Sequence, residues 1–305
     1  MLGEIFYWLF NMSLAATICG IIILPLRRIR PIPRRIAAVL WAIPFLRMCI
    51  PIGLTSKYGL MTLLARITTK TVTVYELGDS HALTLMNHLM AANQYFPISY
   101  RVNLLEDLFA VAGTVWIVVA AALLLAFCIL YFSTMREIKR GAVRLSGNLY
   151  RSDRIQTPAV YGILRPRIVI PAGYKAEELT YVLLHERTHI RRGDNLWRAL
   201  AFFTVCLHWY NPFCWLFLKT LYADMEMACD EAVLSQCGEK QKKNYAHTLL
   251  SSVEKTNVFA APFGGAKIRL RIEAVLSYKK ISVFSLVGFA VLALAIAYVL
   301  LTNAA

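Results

Sequence analysis

Long apolar segments constrain the fold of this chain more strongly than any other feature of its sequence. Three of them are long enough to cross a lipid bilayer as helices, at about Ile5–Leu26, Leu108–Phe132 and Ile281–Leu301. A fourth, Ile36–Leu54, is weaker because prolines and Arg47 interrupt it. We expect that arginine either to face protein or to snorkel to the membrane interface. Hydrophobic residues make up 58% of the chain and charged residues 17%, which is too apolar for a soluble domain of this length. The sequence therefore predicts a mainly α-helical, polytopic membrane protein with four transmembrane helices.

Clusters of basic residues predict how these spans are oriented. The segment Arg27–Arg35 lies between the first two spans and holds arginines without any acid, and further basic clusters follow the third span and precede the fourth. The positive-inside rule assigns all three clusters to the cytoplasmic side of the plasma membrane, so both chain termini are expected outside. The expected organisation is a transmembrane hairpin at 1–54, with spans at about 5–26 and 36–54, an extracytoplasmic loop at 55–107, a span at 108–132, a cytoplasmic domain at 133–280 and a last span at 281–301.

This orientation also accounts for the net charge of +15. Basic residues on the cytoplasmic side satisfy the positive-inside rule and attract anionic lipid headgroups. The sequence contains no recognisable helix-turn-helix, zinc finger or aromatic-basic platform. We therefore expect the lipid bilayer, and not nucleic acid, to be a direct partner.

The pentapeptide HERTH, from His185 to His189, lies in a segment that is free of proline and glycine and is predicted to be helical, Glu177–Ile190. On a helix, residues four apart share one face, so both imidazoles can reach a single metal ion. The intervening Glu186 stands where it can accept a proton from water. This is the H-E-x-x-H arrangement of zinc peptidases, and it predicts one catalytic Zn²⁺ per chain with Glu186 as the general base.

A second helical segment, Leu221–Glu231, offers the remaining acids of such a site. Glu226 and Asp230 are four residues apart and share a face of this helix. A catalytic zinc site has three protein ligands and one open position, so Glu226 is expected to be the third ligand. Asp230 is expected to hold one of the ligand histidines through its other ring nitrogen. The alternative is a surface helix with scattered acids.

The other candidate ligands are interpreted as structural. The seven cysteines form no C-x-x-C pair, and we expect them to be reduced, small core residues and not a metal cage. His208 could be a fourth metal ligand or a transition-state donor, but a hydrogen-bonded structural histidine is the favoured interpretation.

Two more segments carry structural predictions. Pro158–Pro171 is rich in β-branched residues and is punctuated by proline and glycine, which predicts two short strands around a turn. An edge strand there could pair with a substrate backbone, although a purely structural hairpin is equally consistent. The apolar run Leu196–Tyr222 is interpreted as two helices broken at Asn211–Pro212, lying against the other spans or dipping into the membrane interface.

These motifs resemble those of the membrane-embedded zinc peptidases of the β-lactam antibiotic receptor type, the BlaR/MecR family. The resemblance covers nearly the whole chain and rests on four phrases in one order, P-x-V-Y-G-I-L-R-P-x-I-V-I-P, H-E-x-x-H-I-R-R-x-D, H-W-x-N-P-x-x-W and E-x-A-C-D-E-x-V. It implies a gluzincin-like α+β zinc-peptidase domain inserted between spans three and four. It also implies zinc ligands at His185, His189 and Glu226, with Glu186 as general base.

One departure from the family bears on function. Family receptors continue past the last span into a penicillin-binding sensor domain, whereas only Thr302–Ala305 follow it here. We therefore expect either a truncated chain or a sensorless relative, and nothing in the sequence supports β-lactam sensing by this chain.

The resemblance implies an antirepressor, a membrane zinc metalloendopeptidase that cleaves a cytoplasmic transcriptional repressor in transmembrane signalling of the antibiotic response. Self-cleavage is a second expected reaction, in the segment Asn257–Ile268, whose proline and paired glycines are expected to break helix. An ordinary loop that is never cut is equally consistent with that segment. Two other functions stay open, a quality-control protease for membrane proteins and a non-catalytic membrane scaffold. Whether the chain forms a homodimer is also open.

Overall fold

The structure is a computed structural model that describes residues 2–29, 32–50, 55–60, 62, 102–171, 176–254, 261–278, 280 and 282–302. Most of the predicted outer loop lies outside these residues. The described elements in chain order are α1 (Leu2–Leu26), α2 (Arg34–Leu40), α3 (Ala42–Cys49), α4 (Val102–Gly141), β1 (Ala142–Ser146), β2 (Leu149–Ser152), β3 (Ala159–Tyr161), β4 (Arg167–Ile170), α5 (Ala176–Arg192), α6 (Asp194–Leu207), α7 (Pro212–Leu234), α8 (Glu239–Glu254), α9 (Ala261–Leu276) and α10 (Val283–Leu301).

Three helices are long and apolar enough to cross a membrane, namely α1, the Leu108–Gly141 part of α4, and α10. They coincide with the first, third and fourth predicted spans and are candidates for membrane crossing by length and composition. Nearly half of the apolar stretch of α1 is buried within the protein, whereas the stretches of α4 and α10 are almost entirely exposed. The 40 residues of α4 extend over about 60 Å at 1.5 Å per residue. Because this exceeds the thickness of a bilayer, α4 continues beyond it and leads directly into the small sheet.

The second predicted span is not confirmed as one membrane-crossing helix. Its described part consists of α2 and α3, of 7 and 8 residues, which meet at Trp41. Pro44 has no N–H for the carbonyl of Leu40 and its ring crowds that carbonyl, which explains the break. Of the two placements expected for Arg47, it faces protein, because it is 2% exposed and donates from Nη1 to the carbonyl of Leu301 at 2.7 Å. The four-span topology stays a prediction.

The predicted break at Asn211–Pro212 is confirmed by the boundary between α6 and α7. Asn211 caps α7 and donates from Nδ2 to the hydroxyls of Ser13 and Thr17, both at 2.7 Å, near the middle of α1. Closer to the end of α1, Gly20 lets the two helices approach, since a Cβ there would lie 2.1 Å from the ring of Phe217. The second half of the apolar run therefore packs along α1.

The sheet has the strand order β1-β2-β4-β3. Strands β3 and β4 are antiparallel, with Ala159 opposite Val169, and they confirm the predicted strand pair. The turn between them needs Gly162, whose φ of 96° belongs to the left-handed region that glycine tolerates. The sequence did not predict β1 and β2, which form an antiparallel hairpin. Strand β2 of this hairpin pairs with β4 in parallel. Strand β3 is an edge of the sheet and packs beside α5.

One helix-breaking expectation is wrong. Residues 261–268 of the predicted self-cleavage segment belong to α9, although the segment contains Pro262 and two glycines. A proline in the first turn of a helix costs little, because the N–H it lacks would have no partner within the helix. Residues 257–260 of the segment lie outside the described residues.

Candidate metal centre

Helix α5 contains the whole pentapeptide from His185 to His189, so the predicted helix is confirmed. The two imidazoles are buried, at 8% and 5% exposure. Their Nε2 atoms lie 3.1 Å apart. The four-residue spacing thus places two ring nitrogens at one point, as a shared metal ion requires.

Glu226 reaches the same point from α7. Its Oε2 lies 3.5 Å from Nε2 of His185 and its Oε1 lies 3.6 Å from Nε2 of His189. Two ligands at about 2.1 Å from a tetrahedral zinc ion are about 3.4 Å from each other, from the bond lengths and the tetrahedral angle. The separations between these three groups therefore fit a zinc ion bound by two imidazoles and a carboxylate.

Cys229 lies beside the two histidines, one helical turn beyond Glu226. Its Sγ is 3.6 Å from Nδ1 of His185 and donates to the carbonyl of His185 at 3.4 Å. One ligand atom from each of His185, His189 and Cys229 can be chosen within 4.8 Å of the others. The expectation that all cysteines are ordinary core residues therefore needs revision at Cys229, which is a second candidate for the third ligand. We favour Glu226, because it faces the Nε2 atoms whereas the close contact of Cys229 is to Nδ1.

Tyr245 on α8 fixes the orientation and tautomer of His185. Its hydroxyl lies 2.8 Å from Nδ1 of His185 and donates to Oδ1 of Asp230 at 2.6 Å. Because burial and the charge of Asp230 raise the pKa of Tyr245 well above its usual value, the phenol keeps its only proton for Asp230. The hydroxyl oxygen then accepts from Nδ1–H, which leaves the lone pair of Nε2 free for a metal.

Asp230 thus reaches His185 mainly through Tyr245, since its own Oδ1 is 3.4 Å from Nδ1. The carboxylate that contacts a histidine directly is Asp194, whose Oδ2 accepts from Nδ1 of His189 at 2.6 Å. Gly193 ends α5 in a left-handed conformation, with φ of 67°, and turns the chain so that Asp194 faces back to the histidine. Sequence reasoning missed this role, although Asp194 closes the H-E-x-x-H-I-R-R-x-D phrase.

Two arginines hold the acids of this centre. Arg198 on α6 donates from Nη2 to Oε1 of Glu226 at 2.5 Å. Arg271 on α9 donates to both oxygens of Asp230, at 2.7 and 2.8 Å, and lies 3.3 Å from Oε2 of Glu226. The sequence gives no local signal for these pairs, because Arg198 and Arg271 belong to other helices.

The charges of the cluster are balanced among themselves. Burial lowers the pKa of His185, but the charge of Cys229 and the contacts with Glu226 and Asp230 raise it to about 10. Burial raises the pKa of Glu226, but hydrogen bonds from His185 and His189 and the charge of Arg271 hold it well below its usual range. The acids around the two histidines therefore favour positive charge at this point, which a bound divalent metal would supply.

Glu186 is 8% exposed and lines the same cavity as the two histidines and Glu226. The volume of this cavity is about 280 Å³. Residues Thr157–Val160, at the start of the edge strand β3, form another wall of this cavity. The carbonyls of Val160 and Gly162 accept from Asn195 at 2.9 and 3.0 Å. The cavity therefore places a potential general base between the metal-binding groups and an extended piece of backbone.

His208 is remote from this centre. It is fully buried, and its Nε2 lies 3.2 Å from the carbonyl of Met48. The interpretation as a hydrogen-bonded structural histidine is the one that these contacts support.

The chain is similar in sequence to a family of known proteins and to two described relatives. The chain matches the BlaR1 peptidase M56 family over residues 7–275. It is 32% identical over 164 residues to regulatory protein BlaR1 from Bacillus licheniformis, covering 48% of this chain and 27% of that protein. It is 26% identical over 103 residues to methicillin resistance mecR1 protein from Staphylococcus aureus, covering 32% of this chain and 18% of that protein. The match thus spans between 18% and 27% of the length of these relatives.

Proposed function

Because this chain belongs to the BlaR1 peptidase M56 family, as the resemblance of its motifs predicted, we propose that it is a membrane-embedded zinc endopeptidase. One Zn²⁺ would be held by His185, His189 and Glu226. The observation that carries the proposal is the approach of Glu226 to both Nε2 atoms, at 3.5 and 3.6 Å, beside a cavity that also contains Glu186.

The residues around the cavity have separate roles in peptide hydrolysis. A zinc ion held by these three residues would supply Lewis-acid chemistry, lowering the pKa of water to near neutrality and polarising the scissile carbonyl. Glu186 accepts a proton from the attacking water and delivers it to the leaving nitrogen. Tyr245 and Asp194 keep the histidines in the tautomer that presents Nε2.

An extended substrate would pair with the start of strand β3. Asn195 already occupies the carbonyls of Val160 and Gly162, so the later part of the strand is closed to another backbone. Residues Thr157–Ala159 line the cavity and are the part to which a substrate strand can add.

We infer that the substrate is a cytoplasmic transcriptional repressor, cleaved in a signalling response to antibiotics. The support comes from two relatives, one described as a regulatory protein and the other as a methicillin resistance protein. A quality-control protease would use the same chemistry on other substrates. A non-catalytic scaffold is disfavoured, because the predicted ligands and Glu186 share one cavity.

The decisive test compares the purified chain with Glu186→Gln, each reconstituted in liposomes with a candidate repressor protein. The variant should retain one zinc per chain, because Glu186 is not a ligand, and lose cleavage measured by mass spectrometry. Glu273→Gln removes an exposed acid paired with Arg269 and is the matched control, with unchanged zinc and cleavage. Wild-type cleavage by Glu186→Gln with zinc still bound would contradict the mechanism.

The proposed orientation places the centre in the cytoplasm and both termini outside. In a background without reactive cysteines, a cysteine at Gly238 should resist membrane-impermeant reagents, whereas one at Tyr58, which is 81% exposed, should react. Labelling of Gly238 from outside would reverse the orientation and exclude a cytoplasmic substrate.

Self-cleavage is the second proposed reaction. N-terminal sequencing of fragments from the active protein should find a new end between Val258 and Leu270 that is absent from Glu186→Gln. Because α9 begins at Ala261 and a protease binds extended backbone, a cut beyond that residue requires local unwinding of the helix. A fragment of equal yield in the inactive variant would show that another protease made it.

A further inference from the structure

A large apolar groove lies between α2–α3 and α6, separate from the cavity of the metal centre. Its volume is about 650 Å³. The side chains of Val39, Leu46, Trp197, Leu200 and Phe203 line it, and each is at least 37% exposed. Water is an unfavourable occupant of a surface with this composition.

Contacts with α1 show how the groove lies along the membrane. At one end Thr204 hydrogen-bonds Cys49 at 3.2 Å, close to the buried His208–Asn211 turn that meets the middle of α1. At the other end the groove reaches Met225, next to Asp224, which binds Arg27 just past the end of α1. The groove therefore runs from the middle of this span to its basic end.

Three arginines, Arg35, Arg191 and Arg192, line the groove at that basic end. Arg35 pairs with Glu231 at 3.2 Å and Arg192 with Asp194 at 3.3 Å. Arg191 has no ion-pair partner in the part of the chain that the structure describes. Nη1 of Arg192 is buried and makes no hydrogen bond with the described residues. The three arginines and two acids leave one net positive charge, and Nε of Arg35 also makes no hydrogen bond with the described residues.

We propose that this groove binds one anionic phospholipid. The acyl chain lies along the apolar walls, and the phosphate contacts Arg191 and Arg192. A phosphodiester carries one negative charge and presents the acceptor oxygens that a guanidinium binds well. A second copy of this chain could cover the apolar walls, but the charge at the basic end favours the lipid phosphate.

At this site the lipid phosphate would contact Arg192, which forms an ion pair with a carboxylate of the metal centre. Arg192 binds Oδ1 of Asp194, and Oδ2 of the same carboxylate binds His189. The proposal does not depend on catalysis, since lipid binding can be measured in the Glu186→Gln variant.

Native mass spectrometry of the full chain in detergent tests the proposal directly. Phosphatidylglycerol and phosphatidylcholine with identical acyl chains are titrated separately, and the fraction of lipid-bound protein is recorded. We expect one phosphatidylglycerol to bind in preference to phosphatidylcholine. Arg191→Gln should weaken phosphatidylglycerol binding about fivefold, and Arg191→Gln/Arg192→Gln more, from the energy of one basic residue beside an anionic lipid.

Arg28→Gln is the matched control, because it removes an arginine of the basic hairpin that does not line the groove. It should leave phosphatidylglycerol binding unchanged. Equal binding of the two lipids, or equal loss in Arg28→Gln and Arg191→Gln, would overturn the proposal. A lipid-free dimer that Leu200→Arg dissociates would assign the groove to a second copy and overturn it as well.

Discussion

Helix α7 presents acids on two faces that have different surroundings. Asp224 and Glu231 face the basic segment that follows α1, where Asp224 accepts from Arg27 twice, at 2.6 Å, and from Nε1 of Trp41 at 2.7 Å. Glu226 and Asp230 face the histidines of α5 instead. The same residue types on one helix therefore connect to two different parts of the molecule.

The carboxylate oxygens on the two faces differ in whether they are available to bind a metal ion. Asp224 is fully buried and both of its oxygens are held by fixed donors. The side chain of Glu226 is 29% exposed, and its oxygens lie between arginines and two imidazole nitrogens beside a cavity. An acid with all its acceptors occupied by the protein anchors helices, whereas one that shares its oxygens with ligand nitrogens can bind a metal.

Loss of the carboxylate on the metal face should have the largest effect. Glu226→Gln should lose both zinc and cleavage, because two histidines alone leave an incomplete site. Cys229→Ser should retain one zinc per chain, measured by metal analysis of purified protein. Zinc lost in Cys229→Ser and kept in Glu226→Gln would assign the thiol, and not the carboxylate, as third ligand.

Asp224→Asn should destabilise the fold by about 3–5 kcal/mol, because it leaves a largely buried Arg27 without its partner. Chains that remain folded should still bind zinc, since Asp224 has no contact with the histidines. Thermal unfolding in detergent and metal analysis of the folded fraction measure the two effects. Full stability with loss of zinc would show that the two faces of α7 are not separate.

Removal of the carboxylate that contacts His189 should weaken zinc affinity without unfolding. We expect a loss of about 10–100-fold in Asp194→Asn, because the partner of the other ring nitrogen fixes the orientation of a ligand histidine. Asp230→Asn should lose less, since its link to His185 runs through Tyr245. Competition with a chromophoric zinc chelator would reveal the order, and equal losses would contradict it.

Tyr245→Phe should have the smallest effect of this series. It removes the hydroxyl that accepts from His185, but Asp230 remains 3.4 Å from the same nitrogen and can replace it after a small movement. We expect a loss of zinc affinity below that of Asp194→Asn. A larger loss would mean that Asp230 cannot replace the hydroxyl of Tyr245 as the partner of Nδ1 of His185.

Features that depend on neighbouring residues were predictable from sequence. Hydropathy over a single segment identified α1, α4 and α10, and the four-residue repeat of a helix placed His185 and His189 on one face. The break at Asn211–Pro212 follows from local backbone sterics. The second span was predicted less well, because Pro44 divides it into two short helices.

The tertiary structure alone decided which partner each acid binds. Sequence spacing indicated Asp230 as the partner of a histidine, and in the structure it reaches His185 mainly through Tyr245. The left-handed turn at Gly193 brings a second acid, Asp194, to the other histidine, His189. Cys229 joins the centre because α7 packs against α5, and Arg271 joins it because α9 packs against α7. The sequence determined the long apolar helices, the shared face of His185 and His189 and the break at Asn211–Pro212, since those properties are local. The partners of each charge arise from packing between helices distant in the chain, which local patterns do not encode.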